Sequence, residues 1–188
     1  MLPLTGLRNL REAFAYPTIT LSDVVELSLV PLADNPDLGV APLAWSLDLW
    51  GDSNPWFSIE DWRAFYIRGE SADYRGWDPL GFDQEQIYIA LIKGEVVGAI
   101  SLVDFDDLEE FRHLRPWVAA FVVDPHLRGQ GIGSLMLTAL EDKARIFGIS
   151  ELYLWTEDRK DFYLKRGYSA LTHRDYPELS IDVLKKAL

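Results

Sequence analysis

The sequence predicts an α+β fold, on three observations. A wholly apolar run, Trp117 to Val123, passes through a short turn into Arg128 and three alternating glycines, after which a helical pattern begins. Two apolar runs, Ile87 to Ile92 and Val96 to Val103, flank Lys93-Gly94-Glu95, the pattern of a β-hairpin. The remaining segments alternate between period-2 and period-3.6 spacing, giving the order β-α-α-β-β-β-α-β-α-β-β.

Each element has its own signal. Val24 to Leu32 reads as a first strand, closed by Pro31 and the turn formers Asp34-Asn35-Pro36. Leu38 to Trp50 reads as a helix ending at Gly51. A second starts at Ser58, which can cap it with Asp61 three residues on, and places Trp62, Phe65 and Tyr66 on one face before Gly69. Residues 70–85 read as a polar loop, and Asp104 to Arg115 as an acidic connection. Trp117 to Val123 suits a strand buried on both faces. The helix after the glycines aligns Leu135, Met136, Leu140, Ala144 and Phe147, with Gly148 as its stop. Glu151 to Thr156 is a strand, and Arg159 to Arg166 a short helix ended by Gly167. Tyr168 to Thr172 and Leu179 to Leu184 close the sheet.

A chain of 188 residues can bury a core of its own. The absence of cysteine removes thiol nucleophiles, disulfides and thiolate metal sites. His113, His126 and His173 lack metal-ligand spacing, so no metal is expected. No G-x-S-x-G elbow is present. No run is apolar enough to span a membrane and no signal pattern opens the chain, so the expectation is a cytoplasmic protein with no membrane partner. The net charge of −12 argues against nucleic-acid binding. It is unevenly placed, −13 over residues 1–127 and +1 over residues 128–188. Such asymmetry suits a polyanionic ligand on the near-neutral half and a cationic one on the acidic half, and equally a merely soluble surface.

The glycine loop is the chemical centre of the sequence. Alternating glycines let backbone N–H groups turn toward an anion, and the helix that follows adds unpaired N–H groups with roughly half a unit of positive charge. A P-loop would need Lys-Ser or Lys-Thr after its last glycine, whereas Ile132-Gly133-Ser134 stands here. Gly129, Gly131 and Ser134 nearly fit a dinucleotide fingerprint, with Glu157 as its acidic residue. But Asp124 to Arg128 separate loop from strand, and only 54 residues follow Ser134. An ordinary glycine-rich turn explains the glycines, but not Arg128 and the strand-to-helix setting together.

Val123-Asp124-Pro125-His126-Leu127-Arg128-Gly129-Gln130-Gly131-Ile132-Gly133 resembles the acetyl-CoA signature of the GNAT acyltransferases. Phe162-Tyr163-Leu164-Lys165-Arg166-Gly167-Tyr168 resembles a second segment of that family, at the family's spacing. The resemblance is strong from about Val96 onward and extends from about Val24, implying a single GNAT domain over residues 24–188 after an extension over residues 1–23. It implies the GNAT acyl-CoA N-acyltransferase fold, a three-layer α/β arrangement with a mixed, mostly antiparallel sheet of about seven strands flanked by helices. It also implies transfer of an acetyl group from acetyl-CoA to an amine by direct attack in a ternary complex, without metal.

By the same resemblance, Phe121, Val122 and Val123 offer main-chain groups to the pantetheine arm and thioester. Arg128, Gly129, Gln130, Gly131, Ile132, Gly133 and Ser134 hold the pyrophosphate, and Tyr163 is the acid that protonates the departing thiolate. The strand from Trp117 to Val123 carries no titratable residue, so the base falls among Asp104, Asp106, Asp107, Glu109, Glu110 and His113, or a carboxylate acting through water. Trp45, Trp50, Trp56, Trp62 and Trp77 lie among Asp48, Asp52, Asp61 and Asp78, a mixture suited to an ammonium group. Asp48, Trp50 and Asp52 are the candidates to face a small cationic acceptor. The alternative is an acyl-CoA-binding sensor or interaction module without catalysis. The chain is expected to be a monomer or a homodimer.

Overall fold

The computed structural model describes residues 26–51, 57–67, 86–177 and 179–188. The expected extension over residues 1–23, Val24, the loop at 70–85 and the residues Asp52, Trp56, Gly69, Trp77 and Asp78 lie outside them. The order of helices and strands is the one the sequence predicts. Strand β1 (Leu27–Pro31) leads through a 3-10 turn to helices α1 (Val40–Trp50) and α2 (Ile59–Ile67). Then come β2 (Ile87–Ile92), β3 (Glu95–Val103), β4 (Trp117–Val123), α3 (Ile132–Ile146), β5 (Glu151–Thr156), α4 (Lys160–Leu164), β6 (Ser169–Asp175) and β7 (Ser180–Ala187).

The local signals operate as their chemistry requires. Lys93 and Gly94 both take positive φ, the turn that matches the twist of a two-residue hairpin. At the head of α2, the Ser58 hydroxyl accepts from the Asp61 N–H at 3.2 Å, and the Asp61 carboxylate accepts from the Ser58 N–H at 2.9 Å. That reciprocal pair satisfies donors a helix start leaves open. Helix α3 buries Ile132, Met136, Leu137, Leu140 and Ala144, one stripe at helical period. Leu135 and Phe147, expected on that stripe, flank it half-buried, about one position off the centre of the face. The connection at 104–115 contains a 3-10 turn, Glu109–Phe111, that seats Phe111. The last two strands start and finish later than expected, because their exposed polar ends carry little apolar alternation.

The seven strands form one sheet in the order β1-β2-β3-β4-β5-β7-β6. Every neighbouring pair is antiparallel except β4 and β5. Two apolar layers cover its faces. Met136, Leu137, Leu140 and Tyr163 pack with Val118 and Leu154 on one side; Trp62, Phe65 and Tyr66 pack with Trp117 and Val122 on the other. The sheet lies between α3 and α4 on one face and α1 and α2 on the other.

Two features of β4 build the site. It meets β5 at a single register pair, Trp117 with Tyr153, and the Tyr153 N–H donates to the Pro116 carbonyl at 3.1 Å. Beyond that pair the two strands part. Against β3, β4 carries one extra residue: Ser101 faces Ala119, while Ala99 faces Val122. Ala120 takes φ of 47° at this bulge. The extra residue shifts the side-chain alternation, so Ala119 and Val122 face the α1–α2 layer while Phe121 and Val123 face α3 and α4. Close approach at Gly98 keeps the strands in place: a Cβ there would meet the Val122 carbonyl oxygen at 2.5 Å and the Met136 methyl at 2.7 Å. Gly98→Ala is expected to cost about 1–3 kcal/mol through overpacking, read by urea denaturation; a loss near zero would show that β3 and β4 can spread without penalty.

Candidate active site

The gap between β4 and β5 is the centre of the site, and the glycine loop lies at its mouth. Val123 ends β4, and the Asp124 carboxylate accepts from the His126 N–H at 2.8 Å, capping the 3-10 turn Pro125–Leu127. This turn is the spacer that separated the loop from a dinucleotide fingerprint. Gly129 and Gly131 follow with φ of 78° and 84°. Left-handed residues alternating with ordinary ones turn successive N–H groups to one side, making an anion-binding nest. A Cβ at Gly129 would meet nothing within 4 Å, so this glycine serves backbone conformation rather than close packing. Gly131 caps α3, whose first N–H groups point into the same region. The Arg128 Nε donates to the Val123 carbonyl at 3.1 Å, holding this arginine against the strand end. Gln130, Gly133 and Ser134 are half-buried and Ile132 is buried. The residues present therefore fit a coenzyme with a pyrophosphate: Arg128 to Ser134 would hold it, with the edge of Phe121 to Val123 facing the gap.

Tyr163 stands on α4 and is 8 % exposed. Its ring meets Phe162 edge-on at 5.0 Å and Tyr168 at 5.6 Å. Burial pushes its phenol well above the ordinary tyrosine range; the charge of Asp106 pushes in the same direction, while Arg166 opposes it. The phenol therefore stays protonated at neutral pH.

Trp117, at the start of the strand that carries no titratable residue, is fully buried. Its indole donates to the Leu114 carbonyl at 2.7 Å, and its ring packs on Tyr153 at 5.8 Å. The acidic connection folds back toward the gap instead. The Trp155 indole on β5 donates to the Asp106 carbonyl at 3.1 Å. Desolvation holds the half-buried Asp106 carboxyl well above the usual carboxylate range; neighbouring Asp107 adds to this and Trp155 opposes it. The other acidic candidates are engaged differently. Asp104 pairs with Arg115 at 3.3 Å, Glu109 with Arg112 at 2.7 Å, and Glu110 accepts from the Tyr176 hydroxyl at 2.6 Å. His113 is exposed.

On the α1–α2 side, Tyr66 is fully buried and donates to the Ala120 carbonyl at 3.4 Å, while Ser46 donates to the Tyr66 oxygen at 3.1 Å. This chain ties both helices to the bulge. Trp50 stacks on Trp62 at 5.4 Å and Asp48 is exposed; Asp52 lies outside the described residues. Sequence reasoning passed over Tyr66, Trp155 and Arg166. The last donates to Ser134 from across the cradle.

The model of the acetyltransferase (GNAT) family matches residues 54–168, which include the gap, the cradle and Tyr163. The chain belongs to that family. An aminoalkylphosphonate N-acetyltransferase of Salmonella typhimurium is 39 % identical over 87 residues, covering 43 % of this chain and 54 % of that protein. The chain thus spans about half the length of this curated relative. The same fold is seen in Ard1 of Thermoplasma volcanium (TM-score 0.60, 15 % identity) and in the IAA acetyltransferase of Bacillus cereus (TM-score 0.55, 18 % identity). Each likeness covers 87 % of this chain and 99 % of the other. Among the described residues no group of His, Asp and Glu side chains could hold a metal ion, and no helix is long and apolar enough to cross a membrane. Gly131→Ala in this GNAT loop places a Cβ on a left-handed residue. A weakening of coenzyme A binding with about 1–2 kcal/mol of lost stability is expected, and calorimetry with the folded variant checks it; unchanged affinity would remove the loop conformation from the binding account.

Proposed function

We propose that this protein transfers an acetyl group from acetyl-CoA to the primary amine of a small, cationic acceptor. The observation that carries this reading is the single-pair junction of β4 and β5, which opens a gap beside the glycine cradle; the buried, protonated Tyr163 on α4 supports it. Acetyl-CoA supplies an activated acyl carbonyl and a thiolate leaving group. The chain's own residues do the rest. Main-chain N–H groups near Phe121 to Val123 are offered to the developing oxyanion, a fixed donor array that needs no reorganisation. Tyr163 keeps its proton until a strong base, the thiolate, forms beside it.

Asp106 is our candidate for the base. Of the six candidates, Asp106 is drawn in toward β5, carries a charge that reaches Tyr163 and has a carboxyl held above its ordinary value. We assign it the amine proton. Acceptor choice follows charge: the connection from Asp104 to Arg115 brings five carboxylates and two arginines to the same rim. That balance favours a diamine or polyamine over an aminoalkylphosphonate, the substrate class named for the Salmonella relative.

A panel of diamines, polyamines, aminoalkylphosphonates and amino acids, assayed for release of coenzyme A, tests the reading. Transfer to the cationic amines is expected to dominate. Tight coenzyme binding without transfer to any amine would instead support the sensor module. Tyr163→Phe is expected to lower kcat by about 10²–10⁴-fold, the usual range for general acid–base catalysis, with coenzyme affinity retained. Equal turnover would remove Tyr163 from the chemistry.

Asp106→Asn gives two readouts of opposite sign. A carboxyl raised in the folded state favours folding fully only below its unfolded value, and that advantage is lost as pH rises through the raised one. The carboxylate therefore costs stability at neutral pH, and the asparagine variant should be more stable than the parent at pH 7 but not at pH 3. Activity should move the other way, with the rise of kcat/KM across the Asp106 titration lost. A variant that keeps that rise assigns the base elsewhere.

A further inference from the structure

The arginines of this acidic chain divide into two groups. Among the described residues, Arg63, Arg112, Arg115, Arg145, Arg159 and Arg174 each lie within 4 Å of a carboxylate. Arg128 and Arg166 are held by neutral oxygens instead, and both border the glycine cradle. In a chain of net charge −12, guanidinium groups kept from carboxylates beside the cradle give it a local positive character.

Arg166 is the more rigidly built. It follows α4, stacks over the Phe162 ring at 3.6 Å and donates from Nη1 to the Phe162 carbonyl at 2.5 Å. Its Nε donates to the Ser134 Oγ at 3.2 Å, and its Nη2 donates to the same oxygen. A guanidinium has five N–H donors, so these three bonds leave two for a ligand. The effect on Ser134 is equally definite. A hydroxyl oxygen has two lone pairs and one proton. With both lone pairs facing Arg166, the Ser134 proton is left to donate. Ser134 lies in the first turn of α3, where N–H groups also seek an acceptor.

We propose that Arg166 and Ser134 act as one unit that grips the pyrophosphate of coenzyme A at the start of α3. The inference rests on the acetyl-CoA reading above and adds a charged wall to a cradle otherwise made of main chain. Phe162 and the Ser134 oxygen hold the guanidinium in place before the ligand arrives, which reduces the ordering cost of binding. Charge-assisted hydrogen bonds to phosphate are the strong class, and the fork of Arg suits them better than the point charge of Lys.

Calorimetric titration of the full chain with coenzyme A and with dephospho-coenzyme A, which lacks the 3′-phosphate, separates the outcomes. Turnover with acetyl-pantetheine, which lacks the pyrophosphate, supplies a third arm. Arg166→Gln should weaken both coenzymes alike, by about tenfold to a hundredfold, and lower acetyl-pantetheine turnover by much less, through the lost influence of Arg166 on Tyr163. Arg166→Lys should fall between the two. Ser134→Ala should weaken both coenzymes several-fold, and the double variant should lose less than the product of the single losses. Added salt should weaken the parent more than Arg166→Gln. The proposal is overturned if Arg166→Gln binds coenzyme A like the parent, or if acetyl-pantetheine turnover falls as far as coenzyme binding, the mark of a structural prop. A loss confined to coenzyme A would move Arg166 to the 3′-phosphate and overturn the pyrophosphate assignment. Should Arg166→Gln not fold, Ser134→Ala decides, since unchanged affinity there removes the unit. A parent that binds neither coenzyme would sink the acetyltransferase reading as well, whereas a binding parent with unaffected variants sinks this inference alone.

Discussion

The one register pair between Trp117 and Tyr153 is the constraint on which the site depends. Two parallel strands in mid-sheet would ordinarily bond along their length, because unpaired main-chain groups inside a protein are costly. Here they are joined at one end and spread at the other. Trp117 sits at the joined end, fully buried, with its indole tied to Leu114 and its ring against Tyr153. A carboxylate in its place would bring a charge into the most enclosed part of the second apolar layer. The large apolar ring closes the bottom of the gap, and carboxylates approach it from a loop instead.

That approach explains the acidic connection. A loop is a poor platform for a catalytic group unless something fixes it. Trp155 fixes Asp106 from β5, the Glu110 carboxylate and the Tyr176 hydroxyl join the connection to the β6–β7 turn, and Phe111 and Leu108 anchor it in the apolar layer. The remaining carboxylates give that rim its sign. On the other face of the gap, carboxylates are kept away from Arg128 and Arg166. The rim at 104–115 is thus rich in carboxylates, while the two arginines at the cradle are held by neutral oxygens.

Elements written by local chemistry could be read from the sequence. The Lys93-Gly94 turn, the Ser58–Asp61 cap, the Gly148 stop and the glycine cradle all announce themselves within a few residues. The parts that could not be read depend on long-range contacts. Arg166 meets Ser134 across 32 residues, Trp155 meets Asp106 across 49, and Tyr66 meets Ala120 across 54. Ser134 and Asp106 were legible as candidates, but their partners were not: Arg166, Trp155 and Tyr66 would each pass for an ordinary surface or core side chain. The placement of β7 between β5 and β6 was equally silent, since chain order does not state lateral order. The bulge was hidden because alanine, unlike glycine, does not advertise positive φ.

The bulge at Ala120 has a consequence for how such a protein can diversify. One extra residue puts the two halves of β4 out of phase, so odd-numbered positions change layers part-way along the strand. Trp117 and Ala119 pack toward α1 and α2, Phe121 and Val123 toward α3 and α4, and Val118 and Val122 make the opposite change. Each layer therefore draws on both halves of the strand, and loss of the extra residue would turn Phe121 and Val123 out of the α3–α4 layer. An insertion or deletion in this strand would re-sort every side chain beyond it, whereas a single substitution is felt by one layer only.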